Sequence, residues 1–227
     1  MMKPLLYLLL LSCLFYACRN EIKNEVDQSR VGKIKSVLIL GNSIVQHGPR
    51  PEIGWNHNWG MAASAMDSDF VHRLISAIRH ADATVKVRFT NIAGFETHYT
   101  SFDLAQLDSL KDPDLLIMRI GENVNGEMVR DSNFIYYYDS LINYLDPQHH
   151  AVRLIVDGFL QNPSVNKLVC QYAVDHKFPF ISITDLSEDS TNTAKGKFSN
   201  LGVALHPSDK GMRLIEERIW IYISNYF

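Results

Sequence analysis

The sequence predicts an α/β protein, a three-layer α/β/α sandwich around a five-stranded parallel sheet of flavodoxin-like topology. Short apolar runs alternate along the chain with stretches whose apolar residues recur at helical spacing, the pattern of parallel strands joined by crossover helices. The strand order is predicted as 2-1-3-4-5, because crossovers are right-handed and the second run resembles an edge strand. The 227 residues suit one domain with a full core.

The first strand is predicted at 36–40, an apolar run that ends at Gly41 and is typical of a central strand covered on both faces. The second, at 84–90, alternates apolar with charged residues, which indicates the edge of the sheet. The polar stretch 185–205 is predicted to be one long connection, of the kind that often carries function. The remaining strands are predicted at 114–118, 152–156 and 180–183.

Composition and charge narrow the possible functions. Hydrophobic residues make up 46% of the chain and charged residues 21%, which are ordinary values for a soluble globular protein. The formal net charge is −3, and the sequence has neither a basic stripe nor cysteines at zinc-ligand spacing. We therefore expect no binding to nucleic acid, no metal site and no cofactor.

Residues 1–18 are predicted to be a signal peptide. Lys3 precedes an apolar run from Leu5 to Ala17 that is too short to span a bilayer. The small residue Ala17 before Cys18 resembles the lipobox of bacterial lipoproteins, which would make Cys18 the lipid-modified first residue of the mature chain. The alternative is an ordinary secretory peptide with an incidental cysteine.

The polar residues 19–33 are then predicted to be a tether, and residues 34–227 to be the folded domain. We expect an exported protein that is held on a bacterial membrane by its lipid alone, on the periplasmic or the cell-surface side.

Four residues are predicted to converge on one crevice at the carboxyl edge of the sheet. Ser43 follows the first strand, and the strand order brings the turns at Gly94 and Asn123 next to it. His206 precedes the last helix on a loop that can reach the same crevice. Acyl transfer needs an activated hydroxyl, a base and donors for an oxyanion, and these residue types supply all three. Taken singly, each has the plainer interpretation of a turn residue.

Four blocks of the sequence resemble those of the SGNH (GDSL-like) hydrolases. The blocks are Gly41-Asn42-Ser43-Ile44, Asn91-Ile92-Ala93-Gly94, Gly121-Glu122-Asn123 and His206-Pro207. The resemblance extends over the predicted domain and implies an ester hydrolase, with Ser43 as nucleophile and His206 as general base. It also implies an oxyanion hole formed by Gly94, Asn123 and the Ser43 amide.

One position departs from this pattern. The family usually carries an aspartate three residues before the histidine, where it orients the imidazole, and this sequence has Val203 there. Asp185, Asp157, Glu122 or a main-chain carbonyl could take its place, or the pair could act as a serine–histidine dyad. The alternative function is a catalytically impaired, glycan-binding surface lipoprotein.

The loop after Ser43 carries candidate substrate-binding residues, namely Trp55, Trp59 and His47. An indole face can stack on a sugar ring, although the tryptophans could equally anchor the loop to the core. Following the habit of the family, we expect the partner to be an acylated carbohydrate or another small ester, with short acyl groups such as acetyl.

Overall fold

The structure, a computed structural model, describes residues 25–127, 129 and 133–227. It contains a parallel sheet of five strands in the order β2-β1-β3-β4-β5, with helices on both faces. The three-layer sandwich and its strand order are therefore confirmed. The strands are β1 (Ser36–Gly41), β2 (Lys86–Asn91), β3 (Leu115–Met118), β4 (Val152–Val156) and β5 (Phe180–Ile181).

The described residues form the α-helices α1 (Phe70–Ala81), α2 (Ala93–His98), α3 (Phe134–Leu145), α4 (Pro163–His176), α5 (Leu201–Ala204) and α6 (Asp209–Ile223). Alternate side chains of β1 enter two different cores, as the pleat of a strand requires. Val37 and Ile39 belong to the core that contains residues of α1 and α6. Leu38 and Leu40 belong to the core that contains residues of α2, α3 and α4. The sheet is thus the middle layer.

The register of the sheet brings the chemistry-bearing turns together. Leu40 of β1 lies opposite Thr90 of β2 and Met118 of β3, so the three strands end at the same level. β1 is buried from Val37 onward, whereas β2 stays partly exposed along its length. These exposures match the predicted central and edge positions.

The structure differs from the prediction in its short elements. β5 is two residues long rather than four, because the chain turns into a 3-10 helix at Thr184–Glu188. The predicted long connection 185–205 also contains a 3-10 helix at Ser190–Asn192 and the helix α5. Both α5 and α2 are too short to show a repeating apolar stripe, so periodicity could not reveal them.

The predicted signal peptide, Cys18 and the first part of the predicted tether lie outside the described residues. In the rest of the tether, Val26 packs against the core and the Gly32 N–H donates to the Tyr226 carbonyl at 2.8 Å. Contacts of the domain therefore begin before residue 34. No helix in the described part of the chain is both long enough and apolar enough to cross a membrane.

Candidate active site

Ser43 and His206, which are 163 positions apart in the sequence, form a hydrogen-bonded pair. The Ser43 Oγ lies 2.7 Å from the His206 Nε2. Ser43 is in the turn after β1, and His206 lies between α5 and α6. The fold thus brings the predicted nucleophile and the predicted base into contact.

The turn that presents Ser43 depends on a glycine at the end of β1. A Cβ added to Gly41 would lie 2.3 Å from the Val45 Cγ2 and 2.9 Å from the Arg119 carbonyl oxygen. The turn itself is closed by the Asn42 carbonyl, which accepts the Val45 N–H at 2.9 Å. Only a glycine permits this close approach of backbone and side chain.

The second ring nitrogen of His206 is held by the main chain. Its Nδ1 lies 2.7 Å from the Gly202 carbonyl oxygen, which can only accept a hydrogen bond. The ring proton therefore sits on Nδ1, and the lone pair of Nε2 faces the Ser43 hydroxyl. This is the arrangement that a general base requires.

The Gly202 carbonyl, one of the acceptors that the sequence left open, takes the place of a carboxylate. Asp185 binds the Arg218 guanidinium at 2.5 and 2.8 Å. Asp157 accepts hydrogen bonds from the Ser182 hydroxyl and the Ile183 N–H. The expectation that Asp185 or Asp157 orients the histidine is therefore wrong, because each carboxylate is engaged by other donors.

The surroundings keep the imidazole neutral. Burial lowers the pKa of His206 to about 4, although the Gly202 carbonyl and the charge of Glu122 act in the opposite direction. At neutral pH the ring is therefore ready to accept a proton from Ser43.

The predicted oxyanion donors face the same cavity as this pair. Gly94 is the second residue of α2, so its N–H has no partner within the helix. The Ser43 N–H has no hydrogen-bond partner among the described residues, while the next N–H, of Ile44, donates to the Asn42 Oδ1. The Asn123 side-chain amide completes the set.

A buried carboxylate that the sequence did not predict, Glu96 on α2, links these segments. Its Oε1 accepts hydrogen bonds from the Asn42 Nδ2 at 3.1 Å and the Gly121 N–H at 2.5 Å. Its Oε2 accepts from the Asn123 Nδ2 at 2.5 Å. Burial, and next the charge of Glu122, raise the pKa of Glu96 to about 7.

A second buried carboxylate, Glu122, extends the same network. It forms an ion pair with Arg119, which is fully buried, and it accepts the Asn42 Nδ2 at 2.6 Å and the Phe159 N–H at 2.9 Å. Arg119 in turn donates to the Asn42 Oδ1 at 3.2 Å. Sequence reasoning missed Arg119 because a charged residue after an apolar strand is usually solvated.

The Ser43–His206 pair opens into a cavity of about 420 Å³. Its wall comes from the turns at the sheet edge, the loop after Ser43 and the segment before His206. Among the described residues, no cluster of acidic, histidine or cysteine side chains could hold a metal ion. The cavity is lined by Ser43, His47, Ile53, Met61, Asn91, Ala93, Gly94, Thr97, Asn123, Asn200, Gly202, Val203 and His206.

Of the three candidate substrate-binding residues, only His47 lines the cavity. Trp55 is fully buried and its Nε1 donates to the His47 carbonyl at 2.9 Å, so its indole cannot stack on a substrate. Trp59 stacks on His57 and its Nε1 donates to the Ala63 carbonyl at 2.9 Å, outside the cavity lining. Both tryptophans anchor the loop. The predicted contact of Trp55 with substrate is therefore wrong, whereas that of Trp59, which is partly exposed, stays a prediction.

Comparison with known proteins identifies the fold. The sequence matches no protein-family model and no curated protein. Among solved structures, the chain is similar to a two-domain esterase (CEX) active on acetylated mannans and co-crystallised with mannopentaose, at 16% identity and a TM-score of 0.53. That match covers 88% of this chain and 51% of the esterase, so the chain spans about half of its length.

Two further matches cover nearly all of the other protein. The psychrotrophic esterase EstA from a Pseudoalteromonas species is 14% identical over 85% of this chain and 98% of its own, with a TM-score of 0.54. A protein described as a GDSL-like lipase from Bacteroides ovatus is 15% identical over 85% of this chain and 99% of its own, with a TM-score of 0.53. The chain therefore has the fold of the SGNH hydrolases, as its four sequence blocks predicted.

The structure predicts that the usual aspartate cannot simply be restored at position 203. Val203 is 1% exposed and packs in an apolar cluster with Trp55 and Met61. Val203→Asp would bury a carboxyl group without a partner, and we expect it to lower the unfolding free energy by about 2–4 kcal/mol. Thermal unfolding would show this as a Tm lowered by roughly 5–15 °C.

Val203→Asn is the matched control, because it has nearly the same shape and no carboxylate. We expect both variants to lose stability and neither to gain activity. If kcat/KM for an ester were about tenfold higher in Val203→Asp than in Val203→Asn, the carboxylate would reach His206 and this placement of Nδ1 would be wrong.

Proposed function

We propose that the protein is a serine ester hydrolase that works through an acyl-enzyme. The observation that carries the proposal is the Ser43 Oγ at 2.7 Å from the His206 Nε2, with the other ring nitrogen fixed by the Gly202 carbonyl. A nucleophile, a base and a group that orients the base are the three parts of this chemistry.

In the first half-reaction, the Ser43 Oγ attacks the ester carbonyl carbon while the His206 Nε2 takes the hydroxyl proton. The carbonyl π electrons move to oxygen, and the N–H groups of Gly94, Ser43 and the Asn123 side chain stabilise the oxyanion. When the intermediate collapses, the bond to the alcohol breaks and the alcohol oxygen takes the proton from the imidazolium. The acyl group then remains on Ser43.

In the second half-reaction, water attacks the acyl carbon and His206 takes its proton. Collapse of the second intermediate breaks the bond to the Ser43 Oγ, which regains a proton from the imidazolium. The Gly202 carbonyl keeps the ring oriented throughout, but its dipole stabilises the imidazolium less than a carboxylate would. We therefore expect a moderate kcat rather than that of a full triad.

The proposed substrates are short acyl esters, above all acetyl esters of carbohydrates. A cavity of about 420 Å³ lies in the lower part of the range of roughly 300–1,000 Å³ for small-ligand sites, which suits a short acyl group. His47, Thr97 and Asn200 line it together with Ile53 and Met61, so its wall is partly polar. The similar fold of an esterase active on acetylated mannans supports this choice.

The proposed setting is outside the cytoplasm. The apolar run that ends at Ala17, just before Cys18, supports export and a lipid anchor as the sole contact with the membrane. The net charge of −3 supports the proposal that nucleic acid is not a partner.

The first experiment is hydrolysis of p-nitrophenyl acetate, butyrate and octanoate. We expect turnover to be fastest on the acetate ester. Ser43→Ala should lower that turnover by at least about 10³-fold without changing the fold, because the nucleophile is lost. Circular dichroism checks the fold. Ser109→Ala, an exposed serine outside the cavity lining, serves as the matched control and should keep full activity.

Turnover that persists in Ser43→Ala would contradict the serine mechanism. If no ester is turned over and a fluorophosphonate probe does not label Ser43, the alternative of a glycan-binding protein replaces the enzyme.

The state of His206 predicts an unusual pH dependence. Burial lowers the pKa of its imidazole to about 4, so Nε2 remains a base at every pH above that value. We expect the base itself to be lost only as the pH drops through about 4, whereas a fall in kcat/KM nearer pH 7 would report protonation of Glu96, whose pKa burial raises to about 7. The His206 imidazole by itself lowers the unfolding free energy as the pH falls from 6.5 to about 4, because over that range the unfolded chain binds a proton there that the folded chain does not. Glu96 acts in the opposite sense, since its raised pKa lets the folded chain bind a proton first.

An NMR titration of the His206 ring, assigned by the loss of its signals in His206→Gln, measures this pKa directly. Circular dichroism at each pH separates loss of the base from unfolding. A titration midpoint near the ordinary value of 6.5 would contradict a buried, neutral imidazole.

A further inference from the structure

We propose that Glu96 is a positioning residue that orients the Asn123 side-chain amide so that it donates to the oxyanion; this inference rests on the proposed ester hydrolysis. Glu96 is 1% exposed and lies on α2, whereas Asn123 is an exposed residue after β3. The two meet through the Glu96 Oε2 and the Asn123 Nδ2 at 2.5 Å.

The chemistry of the pair decides which end of the asparagine faces Glu96. Three N–H groups point at the two oxygens of Glu96, and above its pKa of about 7 the carboxylate can only accept hydrogen bonds, so Asn123 presents its NH₂ group and not its carbonyl oxygen. One N–H of that group binds Glu96, and the other is left for a substrate oxygen. Without this partner, an exposed asparagine would rotate among rotamers and present either end of its amide to the cavity.

The position of Glu96 makes this orientation rigid. Its other oxygen accepts from the Gly121 N–H and the Asn42 Nδ2, which fixes the carboxylate against the ends of β3 and β1. The same helix supplies Gly94, one of the two main-chain donors of the proposed oxyanion hole. Helix α2 therefore provides one donor directly and sets the direction of a second.

The groups that face Glu96 compensate for the cost of burying its carboxylate. Three donors bind the carboxylate, and the guanidinium of Arg119 is paired with Glu122 beside it. A glutamine at position 96 would have one acceptor oxygen for these donors and would turn an NH₂ group toward at least one of them. Glu96→Gln therefore breaks the arrangement while nearly conserving its volume.

The test is a double-mutant cycle with Glu96→Gln and Asn123→Ala, measured on p-nitrophenyl acetate. An oxyanion donor acts in the transition state, so we expect Glu96→Gln to lower kcat by about 10–100-fold with KM changed less than about twofold. In the Asn123→Ala background, the same substitution should change kcat by less than about twofold, because its target is gone.

A loss of the same size in both backgrounds would overturn the inference, since Glu96 would then act through Ser43 or through the fold. Wild-type kcat in Glu96→Gln would overturn it as well. Glu216→Gln, which removes another buried carboxylate, 8% exposed on α6, is the control for the loss of a buried charge and should leave kcat unchanged.

If Glu96→Gln fails to fold, NMR of the wild-type protein decides. Of the two Asn123 side-chain NH₂ protons, assigned by the loss of their signals in Asn123→Ala, one should be shifted downfield and protected from exchange. Both protons at the shifts of a free asparagine, with fast exchange, would overturn the inference. Absence of wild-type turnover would instead refute the proposed function, and this NMR result would still report on the orientation of Asn123.

Discussion

The site depends on a buried polar network that ties the ends of three strands to one another. Asn42 after β1, Glu96 after β2, and Arg119 and Glu122 after β3 share hydrogen bonds and an ion pair. Removing one member of a buried charged network costs about 3–5 kcal/mol, because its partners are left without compensation. The network therefore favours a single arrangement of the turn that carries Ser43, and the proposed oxyanion donors are held relative to that turn.

The orientation of the His206 ring depends on a main-chain carbonyl, that of Gly202, in place of a carboxylate. A carbonyl fixes the tautomer and the direction of the ring as well as an aspartate does, because it can only accept. It contributes only a dipole, however, where an aspartate contributes a full charge. Orientation and charge stabilisation, which one aspartate usually provides together, are thus separated here. The negative charge of Glu122 acts through space on the imidazolium of His206 and stabilises it.

Sequence patterns predict secondary-structure elements with a repeating apolar spacing and residues that belong to a known motif. Strand order follows from apolar runs and from one alternating edge strand, and the four blocks identify Ser43 and His206. Glu96 escapes notice because a lone glutamate on a six-residue helix has the sequence appearance of a solvated residue, and burial is a property of tertiary packing. The prediction that Trp55 contacts substrate fails for the same reason, since an aromatic residue in a loop can face either the core or the solvent. The orienting carbonyl of Gly202 belongs to the backbone, which has no signature in the sequence.

The loop tryptophans still influence the cavity, from behind its wall. Trp55 packs against Phe198 and Val203 and holds the His47 carbonyl through its indole N–H. It thereby joins the loop after Ser43 to the segment before His206. Both segments line the cavity, whereas the Trp55 indole does not. The packing of this buried indole therefore sets the distance between two walls of a cavity that it does not itself line. The shape available to a substrate is in this way a consequence of core packing, because close-packed interiors transmit small changes in volume to their surroundings.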